Sequence, residues 1–200
     1  MKIIGLTGGI GSGKSTVSSY LRKKNIPIVD ADQISRELTA PESPVLSEIR
    51  ILLGENAFHA DGSLDRQAVA DMIFSNTQLR NRYENLITRE TAERCLAQLR
   101  RLAAQKKWKA AVLDAPLLFE CGMEKYTDEN WLVDADLATR LFRVQQRDGI
   151  SEEKVMDRIR VQMNDSEKAA RADEIIDNSG SLEQLYAQID RLLERIGYER

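Results

Sequence analysis

A glycine-rich turn near the amino end of this 200-residue chain constrains the fold more than any other segment. The residues from Lys2 to Thr16 form a short apolar run, then Gly8-Gly-Ile-Gly-Ser-Gly-Lys-Ser15, then the start of a helix-like stretch. This is the GxxxxGKS pattern of a phosphate-binding loop, in the strand-to-helix context that such a loop requires. The less favoured alternative is an ordinary glycine-rich turn that precedes a helix.

Six consecutive residues of this loop are predicted to bind the phosphates of ATP: Gly11, Ser12, Gly13, Lys14, Ser15 and Thr16. The N-terminus of the following helix offers N–H groups and positive dipole charge to a polyphosphate. Lys14 can reach the β and γ phosphates and is predicted to take part in catalysis. The Ser15 hydroxyl is a suitable ligand for Mg²⁺.

Short apolar runs alternate with amphipathic stretches, which predicts an α/β fold with five parallel strands. The predicted strands are residues 2–7, 26–29, 110–113, 131–133 and 174–176, and Ser181 with Gln184 predicts a capping box before the last helix. Two stretches, about 33–109 and about 143–171, are too long or too polar for this core. We therefore predict one domain over residues 1–200, with a helical substrate-binding insertion and a lid.

Composition and charge argue against several classes of protein. A net charge of -3 gives no overall nucleic-acid signature, and the isolated Cys95 and Cys121 suggest neither a zinc site nor a disulfide. The single histidine, His59, lies in a polar stretch that is typical of a loop. No leader precedes the glycine-rich loop and no apolar run approaches the length of a membrane span. We expect a cytoplasmic protein without nucleic-acid or membrane partners, as a monomer or a small homo-oligomer.

Two carboxylates, Asp30 and Asp32, follow the second predicted strand. Residues two apart in a strand point the same way, and the carboxyl ends of parallel strands border the ligand crevice. Asp32 is therefore predicted to orient an acceptor hydroxyl and take its proton, and Asp30 to hold Mg²⁺ through water. The alternative for Asp32 is that it caps a helix beginning at about Gln33.

Further charged residues point to the same chemistry. Asp114 ends the third predicted strand like the acid of a Walker B element, which places it near Mg²⁺ or the acceptor; a plain strand end is an equal alternative. Arg143 and Arg147 are predicted to meet charge that develops on the transferred phosphoryl group. Most other cations of the lid are expected to lie on a solvated helix face.

The ordered set of motifs along this chain resembles the dephospho-coenzyme A kinase family over nearly its whole length. The resemblance rests on these segments: Gly5 to Ser15, Asp30-Ala-Asp32, Leu64-Asp-Arg66, Ile73-Phe74, Asp114 to Glu120, Arg147-Asp-Gly149, Gln162, Ala172-Asp173 and Ile176 to Gly180. It implies a three-layer P-loop kinase that transfers the γ-phosphate of ATP to the ribose 3′-hydroxyl of dephospho-coenzyme A. The products are coenzyme A and ADP.

The resemblance also implies site residues. Asp32 matches the base, the segment from Pro116 to Glu120 matches an acceptor-binding segment, and Asn178 matches a residue near the adenine of ATP. The substrate-binding residues implied in this way are Asp32, Arg66, Asp114, Leu118 and Glu120. The alternative for Asn178 is a plain turn before the cap of the last helix.

The chain departs from the family pattern at two places. Thr88-Arg89 stands where the family usually has His-Pro, and Arg140 stands where Gln is common.

Two other functions remain as alternatives, another small-metabolite kinase and a nucleotide-dependent switch or motor. The chain has neither the NKxD motif of a GTPase nor the LSGGQ signature of a transporter ATPase.

Overall fold

A computed structural model describes residues 1–198 of the chain. The strands are β1 (Lys2–Gly8), β2 (Ile28–Asp30), β3 (Ala110–Asp114), β4 (Glu129–Asp134) and β5 (Glu174–Asp177). The α-helices are α1 (Lys14–Lys23), α2 (Ala31–Leu38), α3 (Val45–Leu53), α4 (Arg66–Ser75), α5 (Thr77–Ala104), α6 (Leu137–Asp148), α7 (Glu152–Arg160), α8 (Asp165–Arg171) and α9 (Leu182–Arg195). Short 3-10 turns lie at Glu55–Ala57 and Met123–Tyr126.

The five strands form one parallel sheet in the order β2-β3-β1-β4-β5, which confirms the predicted fold class. β1 lies in the middle and pairs in parallel with β3 and β4, in a register that places Leu6 beside Asp114 and Gly8 beside Val133. The carboxyl ends of these three strands therefore meet at one edge of the sheet, where open α/β sheets bind ligands.

The chain divides into two compact units, and the first consists of residues 1–29 and 98–200. Its core joins the sheet to the helices α1 and α9, through residues such as Leu6, Val17, Trp131 and Leu185, all of them fully buried. The capping box predicted for α9 is present, because the side chain of Ser181 accepts from Gln184 N and the Gln184 side chain accepts from Ser181 N. This core fixes β1 and α1, the two elements that flank the glycine-rich loop.

The second compact unit consists of residues 30–97 and has its own apolar core. It contains α2, α3, α4 and most of α5, and its buried residues include Leu38, Ile49, Ala57, Val69 and Leu86. No helix within residues 1–198 combines the length and apolar character that crossing a membrane would require.

Candidate active site

The glycine-rich loop connects the end of β1 to the start of α1. Gly13 precedes the helix with φ 88°, a left-handed backbone conformation that favours glycine. The helix then begins at Lys14, and Thr16 N donates to Gly13 O at 2.9 Å. The first N–H groups of a helix have no carbonyl partner within it, so this turn is suited to bind an anion.

Two side chains from distant parts of the sequence hold this loop in place. The buried Asn178 lies just after β5, and its Nδ2 donates to Ser12 O at 2.7 Å. Arg143 of α6 donates through Nη2 to Asn178 O at 2.9 Å. A Cβ atom on Gly13 would lie 2.0 Å from Asn178 Nδ2, so the close fit requires glycine at this position. Asn178 therefore does more than occupy a turn, since it braces the phosphate loop.

Lys14 is paired with Asp114, the last residue of β3. Lys14 Nζ forms an ion pair with Asp114 Oδ1, and Ser18 Oγ donates to Asp114 Oδ2 at 2.5 Å. The Asp114 residue is 4% exposed, whereas the side chain of Lys14 retains 18% exposure. Asp114 thus contacts the loop lysine, a partner that the sequence analysis did not name. The contact is possible because β3 lies next to β1, the strand that leads into the loop.

The two arginines that the sequence analysis singled out in the predicted lid lie in different surroundings. Arg143 reaches the loop, because its Nη1 donates to Ser12 O at 3.4 Å. Arg147 instead pairs with its neighbour Asp148, with Nε 2.7 Å from Oδ1, and Arg158 pairs with the same carboxylate at 2.7 Å. The structure therefore brings one of the two arginines, Arg143, to the phosphate loop.

Two residues that the sequence reasoning gave no role also contact the loop. Arg140 Nε donates to Ile10 O at 2.9 Å, and Ile10 N donates to Gln162 Oε1 at 3.0 Å. Arg140 is 2% exposed and its Nη1 lies 2.7 Å from Asp165 Oδ2. One signal could have identified Arg140 as inward-facing: it lies four residues before the buried Val144, on the same face of α6.

The segment after β3 combines a buried residue with an ion pair. Leu118 is fully buried, so its side chain anchors the segment in the core and does not form a surface contact. Glu120 Oε1 lies 2.9 Å from the Nζ of Lys168, a fully buried residue of α8, and accepts from Met163 N at 3.3 Å. Glu120 therefore ties the predicted acceptor-binding segment to α8 and to the residues just before it.

The structure corrects the geometry expected for Asp30 and Asp32. Asp30 is the N-cap of α2, and its Oδ1 accepts from Gln33 N at 2.9 Å. The capping alternative for Asp32 is therefore wrong, because Asp32 is the second residue of the helix and exposed. The two-residue alternation of a strand also does not relate the two carboxylates, because the helix begins at Ala31.

Arg66, the other predicted substrate-binding residue in the second unit, begins α4. Asp65 caps this helix through Gln67 N and Ala68 N, and Arg66 Nη2 donates to Thr39 Oγ1 at 2.9 Å. The guanidinium is therefore oriented within the unit formed by residues 30–97. Among residues 1–198, no group of three or more His, Cys, Asp or Glu side chains forms a metal site.

Comparisons with known proteins agree with this arrangement. A family model described as Dephospho-CoA kinase matches residues 2–184. A relative of that name from Shouchella clausii is 39% identical over 98% of this chain and 99% of its own length. Another from Symbiobacterium thermophilum is 41% identical over 95% of this chain and 79% of its own length.

A solved structure has the same fold as this chain. A protein from Thermus thermophilus is 36% identical and superimposes with a TM-score of 0.81 over 97% of both chains. Because the family model spans nearly the whole chain and the relatives share close to two fifths of its residues, the chain belongs to the dephospho-CoA kinase family.

Proposed function

We propose that this protein transfers the γ-phosphate of ATP to the ribose 3′-hydroxyl of dephospho-CoA, releasing coenzyme A and ADP. The observation that carries this proposal is the braced phosphate loop, with Lys14 held by Asp114 and Ser12 held by Asn178. The family relationship supports dephospho-CoA as the acceptor.

On the donor side, residues Gly11 to Thr16 bind the ATP phosphates through the loop and the first turn of α1. Lys14 carries the positive charge that a polyphosphate requires, and Arg143 adds a second cation beside the loop. Arg147 forms an ion pair with Asp148. It can therefore bind ATP together with Lys14 and Arg143 only by exchanging Asp148 for a phosphate. Asn178 holds Ser12 of the loop through its side-chain amide and lies near the adenine of the bound ATP.

The residues proposed for Mg²⁺ are suited to it by donor type. Mg²⁺ prefers oxygen ligands and is commonly held by one or two protein groups together with substrate phosphates. The Ser15 hydroxyl, on an exposed residue of the first turn of α1, is a donor of this kind. Asp30 adds a carboxylate, of which Oδ1 already accepts from Gln33 N. When bound, Mg²⁺ would neutralise part of the phosphate charge.

On the acceptor side, Asp32 orients the ribose hydroxyl and accepts its proton as the phosphoryl group is transferred. We assign acceptor binding to the unit of residues 30–97 with Arg66, and to the segment from Asp114 to Glu120. Residues 143–171, which run from α6 to α8, act as the lid. The ion pair between Glu120 and Lys168 joins that segment to the lid.

A direct assay tests the reaction. Purified protein with Mg²⁺-ATP and dephospho-CoA should form coenzyme A and ADP in equal amounts. ADP formed without coenzyme A would contradict the proposal, as would turnover of a different small alcohol in place of dephospho-CoA.

The role of Asp32 is tested by Asp32→Asn. Removal of a general base typically lowers turnover by about 10²- to 10⁴-fold, and we expect a loss of that size with ATP affinity nearly unchanged. Glu48→Gln is the matched control, because Glu48 is also an acid in the first turn of a helix and is half-exposed. Equal turnover in Asp32→Asn and the control would show that Asp32 is not the base.

A further inference from the structure

We propose that Arg140 is a positioning residue that aims the backbone of the phosphate loop, and that Asp165 of α8 fixes its guanidinium. This inference rests on the proposed function in one respect, namely that the loop binds ATP.

The burial of Arg140 shows that its contact with the loop determines its position. An arginine is seldom fully buried, and a buried guanidinium needs several hydrogen-bond partners. The partner carboxylate of Asp165 is 50% exposed. An ion pair with Asp165 therefore does not by itself require the Arg140 side chain to be buried. Arg140 is instead 2% exposed, with Nε bonded to Ile10 O and Nη1 paired with Asp165.

The loop backbone lies directly against Arg140. A Cβ atom on Gly9 would be 2.5 Å from Nη2 and 3.0 Å from Cζ of Arg140, and all three nearest atoms belong to this guanidinium. A Cβ atom on Gly11 would lie 2.7 Å from the Arg140 carbonyl oxygen. The absence of side chains at these two glycines therefore makes room for Arg140, in addition to any room that it makes for a phosphate.

The bond to Ile10 O determines where the next amide points. In a trans peptide the C=O of one residue and the N–H of the next point in opposite directions, and residues 1–198 contain no cis peptide bond. Because Ile10 O points to Arg140, Gly11 N–H points away from it, toward the side that α6 does not fill. Gln162 fixes the preceding peptide in the same way, by accepting from Ile10 N at 3.0 Å.

Holding these peptides in advance should raise nucleotide affinity. A loop that is free to rotate its peptide groups loses conformational entropy when a phosphate orders it, and a braced loop avoids part of that loss. Since Arg140 acts through the loop backbone, its removal should weaken ATP and ADP alike. It should leave the KM for the acceptor at saturating ATP nearly unchanged.

The test measures MgADP and MgATP affinity by calorimetry without any acceptor. For Arg140→Gln we expect affinity to fall about 10-fold or more, the effect of one misdirected hydrogen bond to a charged group. Asp165→Asn should also lower nucleotide affinity, but by a smaller factor. In the Arg140→Gln background, Asp165→Asn should cause little further loss of affinity. Glu194→Gln is the control, because Glu194 is an exposed acid of α9 outside both the glycine-rich loop and the proposed lid, and this variant should change nothing.

Gly9→Ala separates positioning from simple packing. In the wild-type background the new methyl group meets the fixed guanidinium and should weaken nucleotide binding. In the Arg140→Gln background that space is open, and the added loss should be smaller. If Arg140 only stabilised the fold, Arg140→Gln would lower the melting temperature without changing the nucleotide affinity of the folded protein.

Two outcomes would overturn the proposal. One is an Arg140→Gln protein that binds MgADP within twofold of wild type; the other is an Asp165→Asn effect that persists unchanged without Arg140. Asp165 is half-exposed, so Asp165→Asn keeps the test open even if Arg140→Gln does not fold. Because no acceptor is present, a wrong acceptor assignment leaves these results unaffected, whereas wild-type protein that binds no nucleotide would refute the donor role itself.

Discussion

Replacing Asp114 by Asn should destabilise the nucleotide-free protein by removing the counter-charge of Lys14. Asn keeps the shape of the side chain and an oxygen that can accept from Ser18, so the main change is electrostatic. Loss of one partner from a buried ion pair costs about 3–5 kcal/mol. Water reaches Lys14 through its 18% side-chain exposure, which favours the lower end, about 3 kcal/mol.

The assay is a thermal melt with and without ADP. For a chain of this size about 3 kcal/mol corresponds to a fall in melting temperature of about 6–12 °C. ADP should restore more stability to Asp114→Asn than to wild type, because the phosphates supply the counter-charge that Asp114 no longer provides and need not displace it. The exposed Asp157→Asn serves as control and should shift the melt by less than about 2 °C. A variant that melts with the control, or that gains no more from ADP than wild type does, would refute this reasoning.

Two other predictions test the brace behind the loop and a buried carboxylate at the opposite end of the sheet. Asn178→Ala should lower the free energy of unfolding by about 1–3 kcal/mol and raise the KM for ATP, because Ser12 O loses its hydrogen-bond donor. Asn178→Asp should not restore either value, because an ionised carboxylate cannot donate a hydrogen bond to Ser12 O. Burial raises the pKa of Glu129, but hydrogen bonds from Lys2 and Trp131 and the positive charges of Lys2 and Arg195 together outweigh it and hold the pKa below its ordinary value of 4.5. The carboxylate therefore adds stability above that value and loses it as the pH falls through the lowered pKa, so in urea unfolding Glu129→Gln should lose less stability than wild type on acidification below pH 4.5.

Local sequence patterns were sufficient for most of the fold. The glycine pattern predicted β1, the loop and α1 together, because strand, turn and helix are all encoded within residues 2–23. The capping box at Ser181 and Gln184 was recognisable for the same reason, since its two side chains are three residues apart. Apolar runs located the strands, although β2 begins two residues later than predicted.

The contacts that complete the site depend on residues far apart in the sequence. Arg140 and Ile10 are 130 residues apart, and Asn178 and Ser12 are 166 apart, so no local pattern relates them. The error over Asp32 was of another kind, because the alternation of a strand was extended past Asp30, where the chain turns into a helix. Local periodicity is valid only within one element, and this boundary falls between the two carboxylates.

The central position of β1 has a consequence for the order in which this protein is made. β1 is synthesised first, yet its neighbours β3 and β4 end at Asp114 and Asp134, and the brace at Asn178 follows later still. A nascent chain shorter than 178 residues carries the whole glycine-rich sequence but lacks the amide that holds Ser12 O. We therefore expect the growing polypeptide to complete the brace of its glycine-rich loop only after residue 178 has left the ribosome.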